Sequence, residues 1–241
     1  MANPTAAILV IGDEILSGRT RDSNMHYLAG ALSSAGIDLR EVRMIADEHE
    51  AITRALIDLK SRYDHVFTSG GIGPTHDDIT ADCIAAAFGS NIDIRADARD
   101  ILERYYQRSG IALNAARLRM ARIPEGATLI DNPVSGAPGF RLENVYVLAG
   151  VPAVFQAMVA SILPTLTGGA PLVSKTRRIL RGEGDIAGPL GTVAAAFPAL
   201  SIGSYPFHAE GKYGAHVVVR GADVAQVDAA LTELDAFFDE T

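Results

Sequence analysis

Three glycines lie between an apolar run and a helical pattern in TSGGIGPTHDDIT, Thr68 to Thr80. Gly70, Gly71 and Gly73 permit positive φ angles and a close approach of the backbone to a ligand. Thr75 is positioned to cap the helix that follows, and the free N–H groups at a helix start favour an anion. The loop therefore predicts a phosphate-binding site, and an ordinary turn between a strand and a helix is the alternative.

Acidic residues follow three of the expected strand ends: Asp13 and Glu14, then Asp47, then Asp77 and Asp78. The simple explanation for the last two is that carboxylates in the first turn of a helix stabilise it, by about 0.3 to 1 kcal/mol. Carboxylates gathered beside a phosphate would repel it unless a cation intervened, and their oxygens suit magnesium or manganese. We therefore predict a divalent metal ion near the glycine loop.

A third loop, NPVSGAPGF, contains two prolines and two glycines within nine residues. Such a composition is typical of a rigid loop with an exposed backbone, and loops of this kind often line ligand sites. We assign phosphate or nucleotide binding to five of its residues: Asn132, Ser135, Gly136, Pro138 and Gly139.

These loops need a scaffold that brings them together, and apolar runs of strand length alternate with helical patterns along the first two thirds of the chain. This alternation predicts an α/β fold, with a mostly parallel sheet between two layers of helices. Ligands of such sheets bind beyond the carboxyl ends of the strands, so the loops are expected at one edge. The predicted strands are Ala6 to Gly12, Leu39 to Ile45, His65 to Ser69 and Val145 to Ala149.

The sequence divides into two predicted domains, 1–168 and 172–241, on either side of the linker TGGAPLVS. The second domain has the pattern β, α, β, β, α and is expected to be a small α+β unit. Its residues include six Lys or Arg and nine Asp or Glu. Because nucleic-acid binding depends on basic surface, the charge argues against RNA as a partner, although Gly188 to Gly191 spells the G-x-x-G of RNA-binding loops.

The composition of the whole chain also argues against nucleic acid as a partner, since the formal net charge is −8 over 241 residues. An acidic protein does not attract nucleic acid or an anionic membrane through its overall field. The single cysteine, Cys83, has no partner for a disulfide and is expected in the core of a cytoplasmic protein without an export signal. The uncharged stretch Val145 to Thr167 is interrupted by Gly150 and Pro152, so we predict a strand and a buried helix there rather than a membrane span.

The order of five motifs resembles the CinA-like (competence/damage-inducible protein A) family. They are GDEILSGRTRDSN, the pair Asp47 and Glu48, SGGIGPTHDDIT, NPVSGAPGF and LAGVP. The resemblance covers about Ala6 to Leu166 and implies a first domain of the MoaB/Mog molybdopterin-binding type. The segment from Leu172 resembles the KH-like domain that follows in this family, and nothing in the sequence resembles the family's amidase domain, so deamidation of pyridine nucleotides is not expected.

The resemblance implies a small-molecule ligand that is a nucleotide or a pterin phosphate. It favours metal-dependent hydrolysis of ADP-ribose at its diphosphate, with magnesium, manganese or cobalt; a related domain in FAD synthases is associated with FAD hydrolysis. Two alternatives remain open: binding of molybdopterin or a nucleotide without catalysis, and adenylylation of molybdopterin as in the Mog branch. We also expect a homo-oligomer, a dimer or trimer, in which the small domain has a packing or dimerisation role.

The resemblance also implies roles for individual residues. Gly70, Gly71 and Gly73 match the family's Gly-Gly-x-Gly loop. The resemblance implies catalytic roles for Asp78 and for Asp47, and a carboxylate would orient or deprotonate the attacking water. Asp13 and Glu14 match the family's Gly-Asp-Glu and, with Asp78, are the implied metal ligands. One residue departs from the pattern, since Ala149 stands where the family usually has proline.

Overall fold

The computed structural model describes residues 3–209 and 211–238, and the chain divides into two compact units, 1–169 and 170–241. The division lies inside the segment that the sequence marks as a linker. Among the described residues, no helix is long and apolar enough to cross a membrane.

The first unit is built on a six-stranded sheet with the order β2-β1-β3-β8-β7-β6. Strands β2, β1, β3 and β8 are parallel to one another, while β7 runs antiparallel to both of its neighbours. Two further strands, β4 and β5, form a separate antiparallel pair. The strands are β1 (Thr5–Ile11), β2 (Asp38–Ile45), β3 (His65–Ser69), β4 (Ile92–Ile94), β5 (Arg122–Pro124), β6 (Thr128–Ile130), β7 (Gly139–Leu142) and β8 (Val145–Leu148).

Helices cover both faces of this sheet, so the prediction of a three-layer α/β fold is confirmed. Strand β1 shows why: Ala7, Leu9 and Ile11 belong to one buried cluster, and the alternate residues of the strand belong to another. Helices α3, α4 and α5 complete the first cluster, and α2 and α7 complete the second. The helices are α1 (Asp13–Leu16), α2 (Asn24–Ser34), α3 (His49–Arg62), α4 (Thr80–Phe88), α5 (Ala96–Ser109), α6 (Ala115–Leu118) and α7 (Pro152–Ile162).

Two sequence expectations about buried segments are confirmed in this unit. Cys83 lies in the first cluster, fully buried, and burial raises the pKa of its thiol to about 11. Such a thiol is a packing group rather than a nucleophile. The uncharged stretch after Val145 forms β8 and then α7, with Pro152 at the first position of the helix.

The second unit has the order that the sequence predicts, and its strands form an antiparallel sheet in the order β10-β11-β9. Gly188 to Gly191 lie inside a helix rather than in a loop, so this G-x-x-G cannot clamp a nucleic-acid backbone in the way that a loop does. Helices α8 and α9 share a buried core with the sheet. The elements are β9 (Val173–Ile179), α8 (Glu183–Ala196), β10 (Ser201–Ala209), β11 (Lys212–Gly221) and α9 (Val224–Ala236).

Three local features differ from the sequence expectations. Residues Asp13–Leu16 form a single helical turn instead of a loop. The β4 and β5 pair was not expected, because three-residue strands carry no readable alternation. Helix α4 begins at Thr80, five residues later than the predicted cap at Thr75. Asp77 and Asp78 therefore precede the helix instead of forming its first turn.

Candidate functional site

The loops predicted to share one edge of the sheet do so. The parallel pairing places the carboxyl ends of β1, β2, β3 and β8 on the same side, and the loop between β6 and β7 reaches that side because β7 is antiparallel. Together they surround a groove of about 630 Å³. This volume lies within the usual range for small-molecule sites, roughly 300 to 1,000 Å³.

The glycine loop after β3 has a backbone that only glycine tolerates at two positions. Gly70 and Gly71 have φ angles of 107° and 69°, in the left-handed region. A Cβ on Gly70 would collide with the carbonyl oxygen of Ile11, and one on Gly71 would collide with the hydroxyl of Thr80. The loop therefore presses against the end of β1 and the start of α4, and it lines the groove with its backbone.

Thr80 holds this loop in place, a role that the sequence analysis did not assign. Its side chain is fully buried, its hydroxyl donates to the carbonyl oxygen of Gly70 at 3.0 Å, and its N–H donates to that of Gly71 at 2.9 Å. The threonine just before an apolar helical run, preceded by a glycine-rich turn, was the available signal. The hydroxyl and the backbone N–H of Thr80 thus both fix the glycine loop.

Thr75 does not cap α4 and instead holds the carboxylate of Asp78. The N–H and the hydroxyl of Thr75 both donate to Oδ2 of Asp78, at 2.8 and 2.6 Å. On the other side, a Cβ on Gly73 would lie 2.7 Å from this carboxylate. Asp78 lines the groove and Thr75 does not. The prediction that Thr75 caps the helix is therefore wrong, because its polar groups orient Asp78, while its predicted role in binding a phosphate stays a prediction.

The other carboxylates meet at the ends of β1 and β2. Glu14, Asp47 and Asp77 line the groove, while Asp13 does not and donates its N–H to Oδ2 of Asp47 at 2.9 Å. The pKa of Asp47 is raised, mainly because the carboxyl is partly buried and further because the charges of Asp13, Glu14 and Asp77 disfavour another anion. This corner of the groove accumulates negative charge.

The predicted metal ligands Asp13, Glu14 and Asp78 do not form a cluster. Among the described residues, no group of three or more His, Cys, Asp and Glu is arranged to hold a metal ion. The physical reason is that Asp13 lies outside the groove lining and Asp78 is turned toward Thr75. The donors suit only a hydrated ion held by one or two carboxylates, such as those of Glu14 and Asp47, together with ligand oxygens.

The loop between β6 and β7 reaches the groove through two of its predicted residues, Asn132 and Ser135. The amide of Asn132 is buried and accepts from the N–H groups of Val134 and Ser135, both at 3.1 Å. The same amide donates to Oγ of Ser135 at 2.6 Å and to the carbonyl oxygen of Ala137 at 2.7 Å. Asn132 therefore shapes the loop and has little capacity left for a ligand.

The remaining three residues of this loop do not line the groove. Gly136 has a φ of 71° and packs against the ring of Tyr105. Gly139 belongs to β7 and lies against the carbonyl oxygen of Val147. Pro138 lines a smaller cavity that adjoins the groove. Close packing against Tyr105 and Val147 explains the two glycines, and the assignment of these three residues to ligand binding stays a prediction.

Asn24 is a second residue near the groove that the sequence analysis did not assign. The structure shows no side-chain cap at the start of α2 from Ser23, and Asn24 is buried. Its amide nitrogen donates to Oγ of Ser69 at 2.8 Å and to the carbonyl oxygen of Gly150 at 2.7 Å. It therefore joins the end of β3 to the loop after β8, and both of these segments border the groove.

The loop after β8 brings the start of α7 to the groove. Gly150, Val151 and Pro152 line it, and a Cβ on Gly150 would lie 3.2 Å from Cα of Gly70. The unpaired N–H groups and the positive end of the macrodipole of α7 are thus directed to the same space as the glycine loop. Ala149, the departure from the family pattern, also lines the groove.

An open parallel sheet with a glycine loop and a helix start at its carboxyl edge defines a class of α/β proteins that bind small phosphate-bearing ligands. The chain belongs to the family described as "Probable molybdopterin binding domain", whose model matches residues 7–168. A second family model, "FAD synthase, middle domain", matches residues 171–241. This description replaces the expectation of a KH-like second domain.

Individual relatives agree with this assignment. A CinA-like protein of Citrifermentans bemidjiense is 40% identical over 167 residues, which cover 67% of this chain and 40% of that protein. A protein of Pyrobaculum arsenaticum is 33% identical over 210 residues, covering 83% of this chain and 79% of that protein. The crystal structure of CinA from Thermoplasma acidophilum, described as of unknown function, has a TM-score of 0.62 and 32% identity, with coverage of 67% and 97%. The chain thus spans less than half the length of the CinA-like relative.

Proposed function

We propose that the groove binds an organic phosphate, a nucleotide or a pterin phosphate. The observation that carries this proposal is that the glycine loop and the start of α7 converge on one groove at the carboxyl edge of the parallel sheet. Backbone N–H groups at such positions are suited to phosphate oxygens. The description of the matching family, a molybdopterin binding domain, supports the same class of ligand.

The activity that we propose is hydrolysis of a nucleoside diphosphate compound such as ADP-ribose. The attacking water would form a bond to one phosphorus, the bond from that phosphorus to the bridging oxygen would break, and AMP and ribose phosphate would leave. Asp78 would orient the water and take its proton, since Thr75 occupies Oδ2 and leaves Oδ1 for it. Asp47 would act as a carboxylate that attracts a metal ion to this corner of the groove.

A divalent ion, magnesium, manganese or cobalt, would polarise a phosphoryl oxygen and offset the negative charge of this corner. Glu14 and Asp47 are the residues that would hold it, because both line the groove next to the end of β1. The chain itself contributes the position of these carboxylates: the Asp13 N–H fixes Asp47, and the turn of α1 follows immediately after Gly12.

A second candidate is a binding protein without catalysis. Two observations favour it: no three-ligand metal group occurs in the described part of the chain, and Asp78 is already engaged by Thr75. In that case the same groove would hold the pterin or nucleotide for another protein. Tight binding without turnover would distinguish this candidate from the hydrolase.

The deciding experiment measures AMP release from ADP-ribose in the presence of magnesium, manganese or cobalt. We expect metal-dependent release by the wild-type protein, and at least about a hundredfold lower rate for Asp78→Asn, since general-base catalysis contributes 10²- to 10⁴-fold. Asp100→Asn is the matched control, because Asp100 is exposed on α5 outside the groove. Absence of release by the wild type with every metal, or an active Asp78→Asn, would overturn the hydrolase.

A further inference from the structure

The side chains that line the groove carry negative charge, which disfavours a phosphate ligand. Four carboxylates line it, from Glu14, Asp47, Asp77 and Asp78, and its described lining includes no lysine or arginine. Backbone N–H groups offer partial charges only. A full positive charge from the protein, in addition to any metal ion, would stabilise a diphosphate bound here, and two arginines line a space that adjoins the groove.

A small cavity adjoins the groove. The glycine loop and Met120 line both spaces, together with Asp78, so the two spaces adjoin there. Two arginines, Arg119 and Arg122, line the small cavity. Arg119 directly precedes Met120 in the chain, whereas the carboxylates of Glu14 and Asp47 belong to the lining of the groove alone.

The two arginines have different surroundings. The guanidinium of Arg122 forms two parallel hydrogen bonds to the carboxylate of Asp82, at 2.7 and 2.6 Å, and is therefore satisfied. Arg119 has a buried Nε without a hydrogen-bond partner among the described residues. The other carboxylate that lines this cavity, that of Asp78, accepts a hydrogen bond from the hydroxyl of Thr75. Arg119 thus has a buried donor with no acceptor among the described residues.

The residues that follow Arg119 are anchored to the first unit. Ala121 is fully buried in the first cluster, and its carbonyl oxygen accepts from the N–H of Arg95 at 2.9 Å. The bond from Arg122 to Asp82 connects β5 to the first turn of α4. The segment is thereby attached to the same helix whose Thr80 holds the glycine loop.

A buried donor without a partner is unfavourable, and more so when it belongs to a charged group, so native structures retain one only for a reason. We propose that Arg119 is a ligand-binding residue that donates to a phosphate oxygen at the glycine loop. The proposal rests on the phosphate ligand proposed above and assigns the cation that recognises it. Arginine suits this task because its planar fork matches the oxygens of a phosphate.

The test is calorimetric titration of the full-length protein with pyrophosphate and with ADP-ribose, in the presence of magnesium. We expect Arg119→Met to weaken both by roughly ten- to a hundredfold, the worth of a hydrogen bond to a charged group. Arg119→Lys keeps the charge and should recover part of the loss. Arg117→Met is the control: Arg117 lies two residues away, lines neither space, and donates to the carbonyl oxygen of Ala112.

The outcomes separate this inference from the hydrolase. If the wild type binds ADP-ribose without releasing AMP, and Arg119→Met binds it weakly, the hydrolase fails and Arg119 stands as a phosphate-binding residue. Equal affinity of Arg119→Met and wild type would overturn the inference, whatever the turnover. So would the same loss in Arg119→Lys as in Arg119→Met, or no binding of either probe by the wild type. Equal melting temperatures of Arg119→Met and Arg117→Met would show that the loss is not a folding defect.

Discussion

Three aspartates at this edge of the sheet have different surroundings. Asp82 is paired with the guanidinium of Arg122, and Asp78 accepts two hydrogen bonds from Thr75. Among the described residues, the one hydrogen bond to the carboxylate of Asp47 comes from the N–H of Asp13, and other acidic groups lie near it. The pKa of Asp47 is raised, because burial and like charges outweigh that hydrogen bond.

This raised pKa predicts the effect of Asp47→Asn on stability. Between the pKa of the unfolded chain and that of the folded protein, the folded state binds more protons, so the wild type loses stability as the pH rises. The variant cannot ionise, while its amide oxygen can still accept from Asp13. We expect Asp47→Asn to melt at a higher temperature than wild type at pH 7, and the difference to disappear near about pH 3, well below the unfolded pKa of about 3.9, where Asp is largely protonated in both states.

Thermal unfolding at pH 7 and at about pH 3 would check this expectation, with Glu48→Gln as the control. Glu48 is the neighbouring acid, is exposed, and does not line the groove, so its variant should show little difference at either pH. A lower melting temperature for Asp47→Asn at pH 7 would mean that the charge of Asp47 stabilises the fold, against the sign argued from its surroundings.

At the scale of elements, the sequence predicts the long segments and misses the short ones. Strand β1 is a continuous apolar run because it is buried on both faces, and α3 has apolar residues at helical spacing. Strands β4 and β5 have three residues each and pair across about thirty positions. A pattern of three residues cannot be distinguished from a loop, and the pairing depends on the folded chain.

The candidate site shows the same division. The loops after β1, β3 and β8 could be predicted to meet, since parallel strands place their ends together. The individual contacts could not. Thr75 and Thr80 both flank the turn, and only the folded loop decides that Thr80 holds the glycines and Thr75 holds Asp78. Arg119 lies far along the chain from the glycine loop, and no local spacing connects the two.

The element that positions the site most tightly is the glycine loop, and its packing can be tested with two alanine substitutions. Gly70 and Gly89 both have positive φ angles, 107° and 62°. At Gly89 a Cβ meets nothing within 4 Å, whereas at Gly70 it collides with the carbonyl oxygen of Ile11. Gly89→Ala should cost about 1 kcal/mol for its backbone conformation, and Gly70→Ala about 2 kcal/mol more for the collision.

Urea denaturation of the two variants measures these costs, and titration with ADP-ribose shows their effect on the site. Gly70→Ala should also lower the affinity for ADP-ribose, because the loop must move away from the end of β1. Gly89→Ala should leave this affinity unchanged. Equal costs in the two variants would show that the end of β1 yields to the extra methyl group, and that the loop is less tightly packed than its geometry indicates.

At the scale of the whole molecule, each unit has a core of its own. The two clusters on the faces of the six-stranded sheet are formed by the first unit, and a separate cluster is formed by the second. The groove is lined by residues between Ile11 and Val154, all in the first unit. The net charge of −8 is consistent with recognition by local groups, since the overall field repels an anion.

This organisation predicts that a chain ending at Gly169 folds and keeps its ligand. Gly169 should be retained, because its N–H donates to the carbonyl oxygen of Gly36 at 3.0 Å and closes the unit against the end of α2. If the groove is complete in residues 1–169, the affinity for ADP-ribose should change by no more than about twofold, the usual limit for distant and independent parts of a protein. Calorimetric titration of the two chains would measure it, with thermal unfolding as the check that the shorter chain is folded. A folded short chain that no longer binds would show that residues 170–241 are required for the site, and the function would then have to be sought in both units together.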